Sequence, residues 1–266
     1  METEQQYFEL SSNNDYIIPD WPAPSWIKSV VTTRKRDKAV CCENAFDAFN
    51  IADHVNDDSK KVAANRIQLN RDLGLTKPLH WMQQVHGTQS VELLEHKNNN
   101  PENHLIIADA SYTQQSNLPC VVMTADCLPV LLTNKTGTWI SAIHAGWRGL
   151  CDGIIESTVK HYNGENSDLI SWLGPAISKK HFEVGKEVKD EFVNKNAAYA
   201  KAFESHTKDK YMADLYFIAR HKITSLEIET YGGEFCTYSD SEKFYSYRRE
   251  KDTGRMASLI WIDNKA

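Results

Sequence analysis

Short apolar runs of strand length dominate the chain, and stretches of helical period fall irregularly between them. Trp26 to Thr33 carries the β-branched residues Ile27, Val30, Val31 and Thr32 and reads as a strand. Leu105 to Ala108, Pro119 to Thr124, Leu128 to Thr133, Thr138 to Ile143, Asp168 to Leu173 and Met256 to Ile262 are similar runs, bounded by turn residues such as Asn134, Gly137 and the pair Gly174-Pro175. His80 to Val85 and Thr88 to Leu94 read as two strands around a turn at His86-Gly87. Phe244 to Tyr247 reads as another, with Tyr245 and Tyr247 on one face. Helical spacing places Val62, Leu69 and Leu73 on one side of a helix over Asp57 to Leu75, with Ile67 off to the side, N-cap candidates at Asp57, Asp58 and Ser59, and a stop at Gly74. Gly149 to His161 reads as a single helix with Leu150, Ile154, Ile155 and Val159 apolar, and Gly185 to Asn196 and Asp214 to Leu226 as two more. Strands in runs with interspersed helices predict an α+β fold around a mixed sheet, not a regular βαβ wind. Residues 1–15 form a polar tail, Lys97 to Asn103 a loop, and no Pro/Gly/Ser-rich linker divides the rest, so 16–266 is expected to be one domain.

Composition narrows the class. At 266 residues, roughly 75% of the unfolded chain's surface is buried on folding, so the core needs no covalent staples. Apolar residues make up 41% and charged residues 25%, ordinary for a water-soluble protein. The net charge of -6 comes without a basic stripe, which argues against nucleic acid as the partner. Six cysteines (Cys41, Cys42, Cys120, Cys127, Cys151 and Cys236) form no CxxC pair and no disulfide framework, and reduced thiols in a cytoplasm are the simpler expectation. The acidic, polar start lacks the basic and apolar regions of a signal peptide, and no apolar run is long enough to span a bilayer.

Three soft-metal ligands stand in distinctive surroundings: His86 in Gln83-Gln84-Val85-His86-Gly87, Cys127 in Ala125-Asp126-Cys127-Leu128-Pro129, and His144 in His144-Ala145-Gly146-Trp147-Arg148-Gly149. Two imidazoles and a thiolate suit zinc, and three protein ligands leave a fourth position open for water or substrate, the pattern of a catalytic site. His144 ends an apolar run before a Gly-rich turn into a helix, where Arg148 and free N–H groups favour an anion such as phosphate. Asp109, at the end of another run, can act as general base or orient a ligand histidine. Arg248 and Arg249 are candidates for an anionic substrate or for surface ion pairs, and His54 stands apart from the other histidines as a further candidate.

Taken together, Gln84-Val85-His86-Gly87, Ala108-Asp109-Ala110, Thr124 through Pro129, His144 through Gly149, Leu173-Gly174-Pro175-Ala176-Ile177 and Phe244 through Arg249 with Thr253-Gly254-Arg255-Met256 resemble the YfiH/YlmD laccase-domain family, the purine nucleoside phosphorylase YfiH type. The resemblance implies a mixed β-sandwich flanked by helices, similar to the deamidase domain of cytotoxic necrotizing factor. It implies a metal held by His86, Cys127 and His144, and a zinc enzyme that phosphorolyses adenosine, inosine, guanosine and methylthioadenosine and deaminates adenosine. It also brings two older descriptions, copper-dependent polyphenol oxidase and peptidoglycan editing factor. The family's Gly-rich segment after Thr32-Thr33-Arg34 is replaced here by Lys35 through Cys42, while Asn50 and His54 still match its Asn-Leu-Gly-x-His pattern.

On this reading Cys127, His144 and Asp109 carry the chemistry, and Arg34, Asn50, Gln84, Arg148 and Arg248 contact a purine nucleoside and phosphate. Zinc lowers the pKa of a bound water to about 7, giving a hydroxide fit to attack adenine, while phosphorolysis needs an anion pocket. Three rivals stand beside it. A Cys-His hydrolase would use Cys127 as nucleophile and His144 as base. A copper phenol oxidase needs clustered histidines, and the chain has no His-x-His pair. A non-enzymatic, metal-dependent partner of cell-wall machinery is the third.

Overall fold

The computed structural model describes residues 16–35, 45–46, 48–77, 79–95 and 105–263. The expected tail over 1–15, the Lys97 to Asn103 loop, Cys41, Cys42 and the altered segment beyond Lys35 lie outside these residues. In chain order the elements are β1 (Tyr16–Ile17), β2 (Ile27–Thr32), α1 (Ser59–Asp72), β3 (Met82–Gln83), β4 (Ser90–Glu92), β5 (Ile106–Ile107), β6 (Ala110–Thr113), β7 (Cys120–Thr124), β8 (Leu128–Asn134), β9 (Ile140–Ala145), α2 (Trp147–Asp152), α3 (Ile154–Val159), β10 (Leu169–Leu173), β11 (Glu183–Gly185), α4 (Lys186–Lys195), β12 (Phe203–Thr207), β13 (Lys210–Ala213), α5 (Leu215–Ser225), β14 (Glu229–Gly232), α6 (Tyr247–Glu250) and β15 (Met256–Ile262). This is the expected α+β class.

Two sheets pack face to face. One runs β1-β2-β15-β7 and the other β14-β10-β8-β9-β6-β4. Val31, Val122 and Ile260 of the first meet Leu131, Ile140, Ala142 and Trp172 of the second in one buried cluster. Successive side chains on a strand point to opposite faces, so Val130 and Leu132 emerge on the other side of the larger sheet. There they pack against Leu150 of α2, Ile154 and Ile155 of α3, and Ile218 and Ile223 of α5. Val30, Val121 and Leu259 emerge on the outer face of the smaller sheet and are covered by Leu69 of α1 with Phe49 and Ile51. Strands buried on both faces carry mostly apolar side chains, interrupted by small buried polar residues such as Ser141, Ser171 and Ser258, which is why these segments read as apolar runs and not as alternating ones. Among the described residues no helix is long and apolar enough to cross a membrane.

Two sequence expectations are corrected and two features of the sheets are new. The helix expected over Gly149 to His161 is two helices, because Gly153, at φ 99°, ends α2 and begins α3. Glycine alone adopts that backbone without strain, and the break turns both apolar faces onto the sheet. The two strands expected on either side of His86 are present as β3 and β4, but in different sheets: β3 pairs in parallel with β5, while β4 pairs in parallel with β6 in the larger sheet. Phe244 to Tyr247 is not a strand. Phe244 and Tyr245 are both fully buried while Tyr247 is exposed, and Ser246 caps α6 by accepting from the Arg249 N–H. Finally, β6, the β12–β13 hairpin and β14 were not expected; much of β12–β14 is solvent-facing, so these strands show no apolar run.

Candidate metal centre

Pairing of β8 with β9 builds the centre. Their register sets Pro129 opposite His144 and Leu128 opposite Ala145, which brings Cys127, just before β8, beside the end of β9. The turn after β3 brings in the third residue. His86 sits there at φ 61°, with its ring edge-on to that of His144 at a centroid distance of 4.7 Å. The ligand atoms of His86, Cys127 and His144 all lie within 4.8 Å of one another, and Cys127 Sγ is 3.7 Å from His86 Nε2.

Asp109 explains why they hold this arrangement. Its carboxylate is fully buried between β5 and β6, where β6 pairs with β9. Oδ1 accepts from His144 Nδ1 at 2.8 Å and from the His86 backbone N–H at 2.9 Å, and Oδ2 accepts from the N–H groups of Gly87 at 2.8 Å and Val85 at 3.2 Å. One side chain thus orients His144, leaving its Nε2 toward the cluster, and fixes the left-handed turn that presents His86. Burial alone would raise the Asp109 pKa; the bonds from His144 and the backbone outweigh it and hold the group below its ordinary value. With its oxygens occupied and no face on the cavity, Asp109 fits the orienting role and not that of general base.

The donor set fits a metal. Zinc bonds of about 2.0–2.3 Å at tetrahedral angles separate donor atoms by roughly 3.3–3.8 Å, and the sulfur–nitrogen distance above falls in that range. Gly146 supplies a second observation. A Cβ there would lie 2.6 Å from His86 Cδ2 and 3.2 Å from Cys127 Sγ, so the space beside the ligands exists only because this residue has no side chain. Gly146→Ala is expected to displace the His86 ring and weaken metal binding at least tenfold, in the range seen for disturbed ligand support. Chelator competition reads this directly, and an unchanged affinity would show that the cradle does not matter.

In the metal-free protein, burial pushes the Cys127 thiol up, but the charge and hydrogen bond of His144 and the hydrogen bond of His86 bring it down from 9.0 to about 6. Burial likewise opposes charge on His144, yet the thiolate and Asp109 raise its pKa above the ordinary value. A depressed thiol pKa makes the thiolate the stable form above that value and loses it as pH falls through it. Iodoacetamide should therefore modify Cys127 of metal-stripped protein half-maximally at about pH 6. Cys120, pushed by burial up to about 12, stays unmodified under the same conditions. Site-resolved mass spectrometry distinguishes them, and a Cys127 profile rising only in the ordinary thiol range would exclude the thiolate–imidazolium pair.

The three ligands stand at one wall of a cavity of about 570 Å³. Arg148, Arg248, Lys251 and Arg255 also line it, and among the described residues none of them has a carboxylate within ion-pair distance. Three of these cations lie over aromatic faces: Arg148 over Trp147 at 4.4 Å, Arg248 over Phe182 at 5.4 Å and Lys251 over Tyr247 at 5.6 Å. The carboxylate on the wall, Asp126, is already engaged, accepting from the Thr237 hydroxyl and the Arg248 backbone N–H, both at 2.6 Å. The cavity lining thus sets cations without ion-pair partners beside aromatic rings.

Of the substrate contacts expected from sequence, Arg148 and Arg248 line the cavity. Gln84 also lines it, but both ends of its amide are bonded to the backbone of Met123, so it acts as a latch onto β7. Two expectations are corrected. Arg34 is buried away from the cavity, pairs with Glu250 at 2.8 Å and lies over the Tyr245 ring. Asn50 is fully buried and bonded to Ala52, Asp57 and the backbone of Arg255. Arg249 also binds carbonyls, those of Thr237, Tyr238 and Phe244, and Glu250 rather than a ligand. His54 does line the cavity. Lys251 and Arg255 were missed as site residues; Arg255 lay within a quoted motif, but a single cation in sequence carries no sign of its unpaired state.

The chain matches the family model described as multi-copper polyphenol oxidoreductase laccase over residues 28–263. It is 42% identical over 250 residues to a Haemophilus influenzae protein named purine nucleoside phosphorylase, covering 93% of this chain and 99% of the relative. It is 40% identical over 247 residues to Escherichia coli purine nucleoside phosphorylase YfiH, covering 92% and 98%. Among solved structures it is similar to a Neisseria meningitidis protein, with a TM-score of 0.86 and 37% identity over 94% of this chain and 100% of that one.

Proposed function

The chain belongs to the multi-copper polyphenol oxidoreductase laccase family, and from that membership together with the geometry of the cavity we propose that it is a metal-dependent purine nucleoside phosphorylase, acting on adenosine, inosine, guanosine and methylthioadenosine and also deaminating adenosine. The observation that carries the reading is the meeting, in one cavity, of a His-Cys-His donor set with four cations that have no carboxylate partner. Such a wall suits inorganic phosphate, and the aromatic faces of Trp147, Phe182 and Tyr247 suit a purine ring.

In phosphorolysis a phosphate oxygen forms a bond to C1′ of the ribose as the bond from C1′ to N9 breaks. The electron pair leaves with the purine, which takes up a proton, and the products are the free base and ribose 1-phosphate. Arg148, Arg248 and Lys251 neutralise the incoming anion and hold it against the sugar, work that is chiefly positioning. Asp109 fixes His144, and Asp126 holds the start of α6, which carries Arg248, against the Cys127 turn. A bound zinc would be held by His86, Cys127 and His144 and would supply Lewis-acid polarisation of a substrate oxygen.

Zinc suits the site better than the copper of the family's description. Among the described residues one group of three ligands is present, whereas multicopper chemistry calls for several clustered histidines. One observation favours a second reading: Cys127, His144 and Asp109 also line up as nucleophile, base and orienting carboxylate. The test is to supply the purified protein with adenosine and phosphate and measure free adenine, ribose 1-phosphate and inosine, with elemental analysis of the same sample. Adenine with ribose 1-phosphate, dependent on metal and phosphate, supports the phosphorylase. Absence of both products, or full activity without metal, overturns it.

A further inference from the structure

Arg255 differs from the other cations of the cavity in how it is held. Its backbone N–H donates to Asn50 Oδ1 at 2.9 Å, and Nη1 donates to the carbonyls of Thr253 at 2.7 Å and Gly254 at 3.0 Å. The two residues that precede it are fixed in turn. Thr253 bonds the Ala45 carbonyl and Glu250, and a Cβ on Gly254 would lie 2.7 Å from Tyr245 and 2.9 Å from Asn50. Asn50 in turn is locked, with Oδ1 also accepting from the Ala52 N–H and Nδ2 donating to Ala52 and Asp57. A guanidinium has five N–H donors, and the carbonyls occupy those of Nη1. Nε and Nη2, an edge that can form bidentate bonds to phosphate, have no hydrogen-bond partner among the described residues. Unlike the exposed Arg148 and Lys251, this group is partly buried, and the negative groups of Cys127 and Asp126 act on it without an ion pair. A desolvated cation without a counterion is costly, and here the missing counterion is the ligand's.

We infer that Arg255 is the anchor of the phosphate used in phosphorolysis, gripping it through the Nε–Nη2 edge, and that Asn50 is a positioning residue that acts through the Arg255 backbone. The inference rests on the phosphorylase reading above. It assigns to Asn50 an indirect part in place of the direct substrate contact expected from sequence. Phosphate supplies two oxygens to that edge while a third remains free to attack C1′.

The test is a kinetic split on the metal-loaded enzyme. Arg255→Gln is expected to raise the KM for phosphate at least tenfold and leave the KM for adenosine within about twofold, the loss of one charge-assisted bidentate contact. Arg255→Lys should recover part of the loss, because charge returns without the fork. Asn50→Ala should shift the phosphate KM in the same direction. A second measurement needs no variant: phenylglyoxal should modify Arg255 of the native enzyme, and inorganic phosphate should protect it, read by peptide mass spectrometry. An unmoved phosphate KM in Arg255→Gln, or no protection by phosphate, overturns the assignment. A wild-type enzyme with no phosphorolysis at all but with Arg255 protected by phosphate would sink the phosphorylase reading and leave an anion site; active wild type with no protection would sink the Arg255 inference alone.

Discussion

Replacing Cys127 by alanine should yield a folded protein that binds no stoichiometric metal and no longer splits purine nucleosides. The side chain lines the cavity just before β8 and is half-buried, so its removal opens little void in the core. Its loss leaves two imidazoles. Removing a residue that merely supports a ligand costs roughly 10–100-fold in metal affinity or activity, and removing one of three ligands exceeds that. Elemental analysis is expected to give about one zinc per wild-type chain and near zero for Cys127→Ala, with turnover of adenosine and phosphate falling in parallel. A zinc-free Cys127→Ala variant with wild-type turnover would end the metal reading and the Cys-His hydrolase reading together. A metal-free wild type that is fully active, with a reactive Cys127, would favour the hydrolase.

Asp109→Asn should cost nearly as much by a different route. The carboxylate serves four donors, from His144 and from the backbone of Val85, His86 and Gly87. Asparagine keeps one acceptor and sets an N–H₂ group against donors that need an oxygen. Metal affinity should fall about 10–100-fold, because His144 is no longer held with Nε2 toward the cluster. The metal-free fold should lose stability as well, about 1–3 kcal/mol for each buried N–H left without an acceptor. Chelator competition and denaturant melts of stripped protein separate the two effects. Unchanged metal affinity would show that Asp109 supports the turn alone, and unchanged stability with lost affinity would show that the turn holds without it.

The legible and the hidden parts of the site differ for physical reasons. His86, Cys127 and His144 were readable because few residue types bind a soft metal and each stood in a distinctive local setting. Asp109 was readable as a candidate but not as to role; only the pairing of β6 with β9 puts its carboxylate against His144. Arg34 and Asn50 read as substrate contacts in the sequence because polar residues near recognisable motifs look alike there, whether they face a ligand or a buried partner. Arg34 faces Glu250, and Asn50 faces the Arg255 backbone. Phe244 to Tyr247 had the composition of a strand, but the end of its run caps a helix instead.

By itself the chain determined the α+β class, the sheet-forming runs, and the three residues of the candidate His-Cys-His centre, because local periodicity and side-chain chemistry act within a few residues. Tertiary structure alone decided which cations lack a partner, that the turn bearing His86 hangs on Asp109, and that Gly146 leaves room beside the ligands. Those properties depend on what lies across a cavity or an adjacent strand, at separations such as the 41 residues between Cys127 and His86, where sequence carries no distance.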